Sequence, residues 1–446
     1  MDPSSQHFSI SESIQMTSAA IHLYETLIGA VTWDAEREFG YFEYDPDFLS
    51  SGIGVSPLML PLREGRFSFP NLPRETFKGL PGLLADSLPD KFGNLLIDQW
   101  LARQGRSPQS FDPVERLCYL GSRAMGALEF QPTLLADRPS EKLHIEALVQ
   151  LANDALASRE TLHANLHQST EALATILRVG TSAGGARAKA VISWNPASGE
   201  IRSGQVAPDP GFESWLLKFD GVSANRDKEL NDPLGYGRIE YAYHLMARAA
   251  GITMSDCRLL EENGRAHFMT RRFDRGPAGE KFHMQSLCAI AHFDFNQAGA
   301  YSYEQAFQIA RQLGLPQSDL TELYRRAVFN ILSRNQDDHT KNIAFQMDRR
   351  GGWHLAPAFD LIYAYNPTGA WTSRHQMTLN GKRDDFLTAD LLTAANAADL
   401  KPAKAKTILR QVHKAITQWR NHAESAGVFP DWIKQIQDHL RVDLKV

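Results

Sequence analysis

Apolar and polar residues alternate through Gly40-Tyr41-Phe42-Glu43-Tyr44, a period of two that predicts a strand. Pro57, Pro61, Pro70 and Pro73 punctuate the chain beyond it. The stretch from Gly79 to Asp90 then mixes turn residues with short apolar pieces. Leu95, Leu96, Trp100 and Leu101 fall at helical spacing. Residues 21–135 therefore read as a small α+β module. Residues 1–20 are Ser-rich, show little periodicity and read as a flexible terminus.

Residues 136–176 are rich in Ala, Leu, Glu and His and predict one or two helices. Strand-like patterning resumes at Ala190-Val191-Ile192-Ser193-Trp194 and at Ser214-Trp215-Leu216-Leu217-Lys218-Phe219. A helix follows at about 237–250, stopped by Gly251. Residues 276–446 read mostly as helix, with clear examples from Glu322 to Leu332 and around Val412, Ile416 and Trp419. The division is thus 21–135, a strand-rich 136–275 and a helical 276–446. A strand-rich piece followed by a helical one predicts an α+β fold of two lobes with a cleft between them.

Composition narrows the class. Apolar residues are 43% and charged residues 22% of 446, ordinary for a globular chain. The formal net charge of −5 argues against direct nucleic-acid binding. Cys118, Cys257 and Cys288 are scattered and odd in number, and read as reduced thiols. No apolar run is long enough to span a bilayer, and the first basic side chain is Arg37, so a cytoplasmic protein is expected.

Candidate chemistry concentrates in Asn335-Gln336-Asp337-Asp338-His339-Thr340-Lys341-Asn342, between an amphipathic helix and a probable strand at Ile343-Ala344-Phe345. Three readings compete. Asp337 is a base and Asn342, five residues on, holds Mg²⁺, the spacing of a protein-kinase catalytic loop. Alternatively Asp337, Asp338 and His339 ligate a metal for hydrolysis. The bland reading is a capped turn. Asp360 follows 18 residues after Asn342, past a candidate hairpin turn at Arg349-Arg350-Gly351-Gly352. Upstream lie a glycine-rich loop from Gly180 to Lys189, a lysine ending an apolar strand (Lys218) and a helical glutamate (Glu240). Each alone reads more readily as a flexible turn, a surface charge or a helix cap. Their order is that of a kinase nucleotide site, and the hydrolase reading leaves Lys218 and the glycine-rich loop idle.

In combination LPGLLADSLPDKFGN (80–94), GTSAGGARAKA (180–190), RRFDR (271–275), NQDDHTKN (335–342) and AFDL (358–361) resemble the HipA family, the kinase toxins of bacterial toxin–antitoxin pairs. The resemblance covers roughly residues 21–420. It implies a two-lobed, protein-kinase-like fold and a serine/threonine protein kinase using ATP and Mg²⁺. Asp337 would be the catalytic base, His339 and Lys341 its companions in the catalytic loop, and Asn342 and Asp360 the Mg²⁺ ligands. Ser182, Ala183, Gly184, Gly185, Lys189 and Lys218 would contact ATP, with Met269, Thr270 and Arg271 at the adenine hinge. Glu240, Arg272 and Asp274 would orient the site. Ser182, with Thr181 as the alternative, would be autophosphorylated. A translation-related substrate such as an aminoacyl-tRNA synthetase and a HipB-like DNA-binding antitoxin are the implied partners. A nucleotide-binding partner of such an antitoxin, without kinase activity, is the alternative. Leu361-Ile362 replaces the Phe-Gly of ordinary kinases, and Ala188 stands where proline is common in the family.

Overall fold

Strands β1 (Ser18–Leu23), β2 (Thr26–Asp34) and β3 (Phe39–Tyr44) bury alternate side chains, as strands with one face on a core must. With β4 (Arg66–Phe67) and β5 (Leu128–Gln131) they form an antiparallel five-stranded sheet in the order β4-β3-β2-β1-β5. The strand expected at Gly40–Tyr44 is β3. The computed structural model describes residues 17–134, 140–157, 176, 179–180, 187–204, 208–222, 226–227, 230–231 and 234–444.

The helix expected from Leu95 to Leu101 runs over Lys91–Arg103. Asp90 starts it, accepting from Gly93 N at 2.9 Å. Its buried face, Phe92, Leu96, Ile97 and Leu101, packs with Ala190, Ile192, Leu217 and Met269. The first sheet instead shares a core with the carboxy-terminal helices, where Ile21, Val31 and Phe42 belong with Leu323, Phe329 and Ile343. The segment read as one module thus feeds two cores. Hydrophobic periodicity says which face of an element is apolar, not which partner covers it.

The second sheet has the order β11-β12-β8-β6-β7, formed by β6 (Lys189–Trp194), β7 (Ile201–Ser203), β8 (Glu213–Lys218), β11 (Cys257–Glu262) and β12 (Arg265–Arg271). Short strands β9 (Arg226–Asp227) and β10 (Leu230–Asn231) pair beside it in sequence. The helix expected at 237–250 spans Tyr236–Ala249, and Gly251 leaves it at φ +81°. Of the helices expected over 136–176, Ile145–Ala157 is present, and residues 158–175 lie outside the described part.

Helices Tyr303–Gln312, Gln317–Leu332, Thr388–Ala397, Pro402–Thr417, Trp419–Ser425 and Pro430–His439 dominate the carboxy-terminal half. A small antiparallel sheet lies ahead of and among them: β13 (His283–Ser286), β14 (Ala344–Met347) and β15 (Trp353–Leu355). The β14–β15 hairpin has the anticipated turn, with Gly351 at φ +88°. The fold is α+β with a strand-rich and a helical lobe. Among the described residues no helix is long and apolar enough to cross a membrane.

Candidate active site

Lys189 and Lys218 face each other directly across the β6–β8 antiparallel pair. Like charges opposed in this way destabilise a sheet unless anions meet them. The fold supplies anions from three different elements. Lys218 Nζ lies 2.6 Å from Glu240 Oε1 and 2.5 Å from Asp360 Oδ1. Lys189 Nζ lies 3.5 Å from Asp90 Oδ2. Glu240 comes from the helix Tyr236–Ala249, Asp360 from the loop after β15, and Asp90 from the cap of Lys91–Arg103.

Burial raises the Glu240 carboxyl, with Lys218 pulling the other way. Burial also works against the Lys218 charge, but Asp360 and Glu240 outweigh it and hold the ammonium above its usual range. Asp360 is held below the usual carboxylate range, because Lys218 and Lys189 overcome its desolvation. The pairing of Lys218 with Glu240 is the one the sequence order anticipated, whereas the contact with Asp360, read there as a Mg²⁺ ligand, comes from the structure alone.

Asp360 is set by backbone geometry. Ala358 bridges Met254, and Ala358 N donates to Thr253 O at 2.8 Å. Asp360 itself adopts φ +55°, a left-handed conformation that aspartate accepts more readily than most residues. Further on, Ala364 bridges Asn335 and accepts from Gln336 N at 3.1 Å, so the segment after Asp360 runs beside the loop 335–342.

That loop leaves the helix Gln317–Leu332 through Arg334 at φ +58°. Asp337 Oδ1 accepts from Trp371 Nε1 at 2.6 Å, and His339 Nε2 lies 3.9 Å from the same oxygen. Asn342 Nδ2 donates to Asp337 O at 2.9 Å, so the nitrogen of this amide is spent on the backbone and its oxygen is the atom suited to a hard cation. Lys341 Nζ and the His339 ring both stand by Phe295, at 5.0 and 5.2 Å from its centre.

Asp338 points the other way. It accepts from Tyr303 Oη at 2.7 Å, His375 Nδ1 at 2.9 Å and Gln376 N at 2.8 Å, and is buried. Burial opposes its ionisation, but these donors keep it below the usual carboxylate range. This corrects the hydrolase alternative: Asp337, Asp338 and His339 do not converge on one point, because Asp338 is consumed in anchoring the loop. Among the described residues no cluster of three or more His, Cys, Asp or Glu side chains could hold a metal.

Met269 and Thr270 lie inside β12, paired with Leu217 and Leu216 on one side and Arg258 and Cys257 on the other. Arg271 is the last paired residue. Just past the ladder, Arg272 N still donates to Ser214 O at 2.9 Å and Phe273 O accepts from Gln346 Nε2 at 2.9 Å. Phe273 pairs with Phe359, ring centres 5.7 Å apart. Arg272 and Asp274 form a buried two-point pair at 2.9 and 2.6 Å, and Asp274 also receives Gly126 N at 2.8 Å. Thr181, Ser182, Ala183, Gly184 and Gly185 lie outside the described residues.

Sequence reasoning missed Trp371, Asp90 and Phe273. Asp90 sat within a quoted motif but carried no role. Trp371 had no local signal at all, since its partner is 34 residues away.

The HipA-like C-terminal domain matches residues 181–419, and the HipA N-terminal domain matches residues 19–131. The Sinorhizobium fredii (strain NBRC 101917 / NGR234) protein named "Putative kinase Y4mE" is 25% identical over 126 residues, 26% of this chain. That match reaches 30% of the relative's own length. HipA of Shewanella oneidensis MR-1, solved in a toxin–antitoxin complex with HipB and operator DNA, superposes with a TM-score of 0.66 at 18% identity. The superposition covers 96% of this chain and 100% of that one. The Helicobacter pylori proinflammatory kinase CtkA gives a TM-score of 0.33 at 12% identity, over 56% of this chain and 94% of its own. With the carboxy-terminal domain match taking in more than half of its residues, the chain belongs to the HipA family.

Proposed function

We propose that this chain is an ATP- and Mg²⁺-dependent serine/threonine protein kinase. The observation that carries the reading is the Lys218 ammonium held between Glu240 and Asp360. A strand lysine oriented by a helical glutamate is the arrangement that grips nucleotide phosphates in kinases. Lys189, opposite it on β6, adds a second positive charge to the same end of the sheet.

The donor set suits Mg²⁺·ATP. Asp360 and Asn342 offer hard oxygens, which Mg²⁺ prefers, and would hold the ion. When bound, Mg²⁺ neutralises charge on the transferring phosphoryl group. Lys218 and Lys189 bind phosphate oxygens. Asp337 takes the proton from the acceptor hydroxyl as the γ-phosphoryl group passes to it. His339 and Lys341 flank Asp337 in the same loop, braced on Phe295. Ser182, or Thr181 beside it, is the proposed autophosphorylation site.

A HipB-like DNA-binding antitoxin is the proposed partner, because the solved HipA relative is in complex with HipB and operator DNA. An aminoacyl-tRNA synthetase is the proposed class of substrate.

Transfer of label from [γ-³²P]ATP to protein tests the reading, with Asp337→Asn as control. Loss of the base should cost on the order of 10²- to 10⁴-fold in rate. Equal transfer by both proteins removes Asp337 from its role. Tight ATP binding with no transfer by either favours the non-enzymatic partner of an antitoxin.

A further inference from the structure

Trp371 lies 11 residues beyond Asp360, yet its indole Nε1 donates to Asp337 Oδ1 at 2.6 Å. The contact is built. Gln376 Nε2 donates to Trp371 O at 2.5 Å and to Gln336 O at 3.2 Å. Gln336 Nε2 returns a bond to Thr372 O at 3.3 Å, and Gln376 N bonds Asp338 Oδ1 at 2.8 Å. The segment carrying the indole and the loop carrying the carboxylate are therefore one hydrogen-bonded frame. Gln336 and Gln376 are both buried within it.

We propose that Trp371 is a positioning residue for phosphoryl transfer, its indole N–H fixing the orientation of the Asp337 carboxylate. This rests on the kinase reading above. A general base works only when one oxygen is aimed at the acceptor hydroxyl, and an unanchored carboxylate samples other torsions. A neutral N–H donor restrains the group without neutralising it, as a lysine or arginine would. Trp371 touches no reacting atom in this role and acts through Asp337 alone.

The test uses the full chain and four proteins: wild type, Trp371→Phe, Asp337→Asn and the double variant. Phenylalanine keeps an aromatic ring and removes the N–H. Transfer from [γ-³²P]ATP is followed in the chain itself and in a nucleotide-depleted bacterial lysate, at a series of ATP concentrations. Trp371→Phe should lower kcat by roughly tenfold to a hundredfold, the worth of one hydrogen bond to a charged group. Its KM for ATP and its thermal transition by circular dichroism should match wild type. In the Asp337→Asn background the same change should add less than about twofold, because residues acting as a unit are not additive.

Wild-type kcat in Trp371→Phe, beside an inactive Asp337→Asn, overturns the positioning role and leaves the kinase reading intact. A faster Trp371→Phe overturns it too, since the indole would then be obstructing the base. An additive loss in the double variant shows that Trp371 acts elsewhere. No transfer by wild type removes the kinase reading and this inference with it.

Discussion

Asp90 serves two elements at once: Oδ1 caps the helix Lys91–Arg103 through Gly93 N, and Oδ2 faces Lys189 on β6. Burial pushes its carboxyl up to about 6, against the pull of Lys189. The folded value exceeds the ordinary 3.8, so the fold favours the protonated form. Its contribution to stability is therefore full below about pH 4 and lost as pH rises through about 6. Asp90→Asn keeps a capping oxygen and abolishes the titration. The variant should show a flatter pH dependence of urea stability across that window, by on the order of 1–3 kcal/mol. An unchanged slope assigns the titration to another group. At this scale the sequence was informative where the known order of a kinase site links distant positions. Lys218, Glu240 and Asp360 were readable together because a kinase order links them. Asp90 and Trp371 were not, because nothing local to either says what it reaches.

At the scale of elements, two short helices join the amino-terminal module to the helical lobe. Gly82, first residue of Gly82–Ala85, has no room for a side chain, since a Cβ there would lie 2.2 Å from Ala289 O. Gly82 N donates to His292 Nε2 at 3.0 Å. Asp86, just past the helix, accepts from Ser286 N at 2.7 Å and Ser286 Oγ at 2.8 Å. Ser286 in turn caps Leu287–Ala291 through Ala289 N at 3.1 Å. Asp86→Ala strands a buried amide and hydroxyl, which should cost about 1–3 kcal/mol. Urea unfolding measures it, and a change within error would place the junction's strength elsewhere. The LPGLLAD stretch marked the family in the sequence, and this junction is the physical reason for its glycine and aspartate. Elements with strong local period, β3, Lys91–Arg103 and Tyr236–Ala249, were legible in advance, as was the β14–β15 hairpin from its glycine turn. β13 was not, because four residues give too little alternation to distinguish a strand from a buried helix turn.

Across the whole molecule, the amino-terminal module is bonded to the site through Asp274. Its carboxylate meets Arg272, Arg275 and Gly126 N, all within 2.9 Å. Burial raises its pKa, but Arg272 and Arg275 overcome this and hold it below the ordinary range. The folded value is depressed, so the stabilisation is present above the unfolded value of 3.8 and lost as pH falls below it. Asp274→Ala leaves two guanidinium groups in the interior with their carboxylate gone, a change worth about 3–5 kcal/mol. The expected readout is a lower urea midpoint at pH 7, with the gap to wild type closing in acid. A gap that persists unchanged at low pH would mean that packing, rather than charge, holds the junction.

The sequence by itself determined the local periodicities, the α+β class, the ordered kinase-like residues and the family. Those features depend on spacing along the chain, which one sequence displays in full. Only the tertiary structure decided that Asp338 turns inward while Asp337 does not, that Met269 and Thr270 are paired on both sides within β12, and that the first module feeds two cores. It alone brought Asp90 to Lys189 and Trp371 to Asp337. These are contacts between residues far apart in sequence, fixed by which surfaces the folded chain has left to cover, and no local pattern records them.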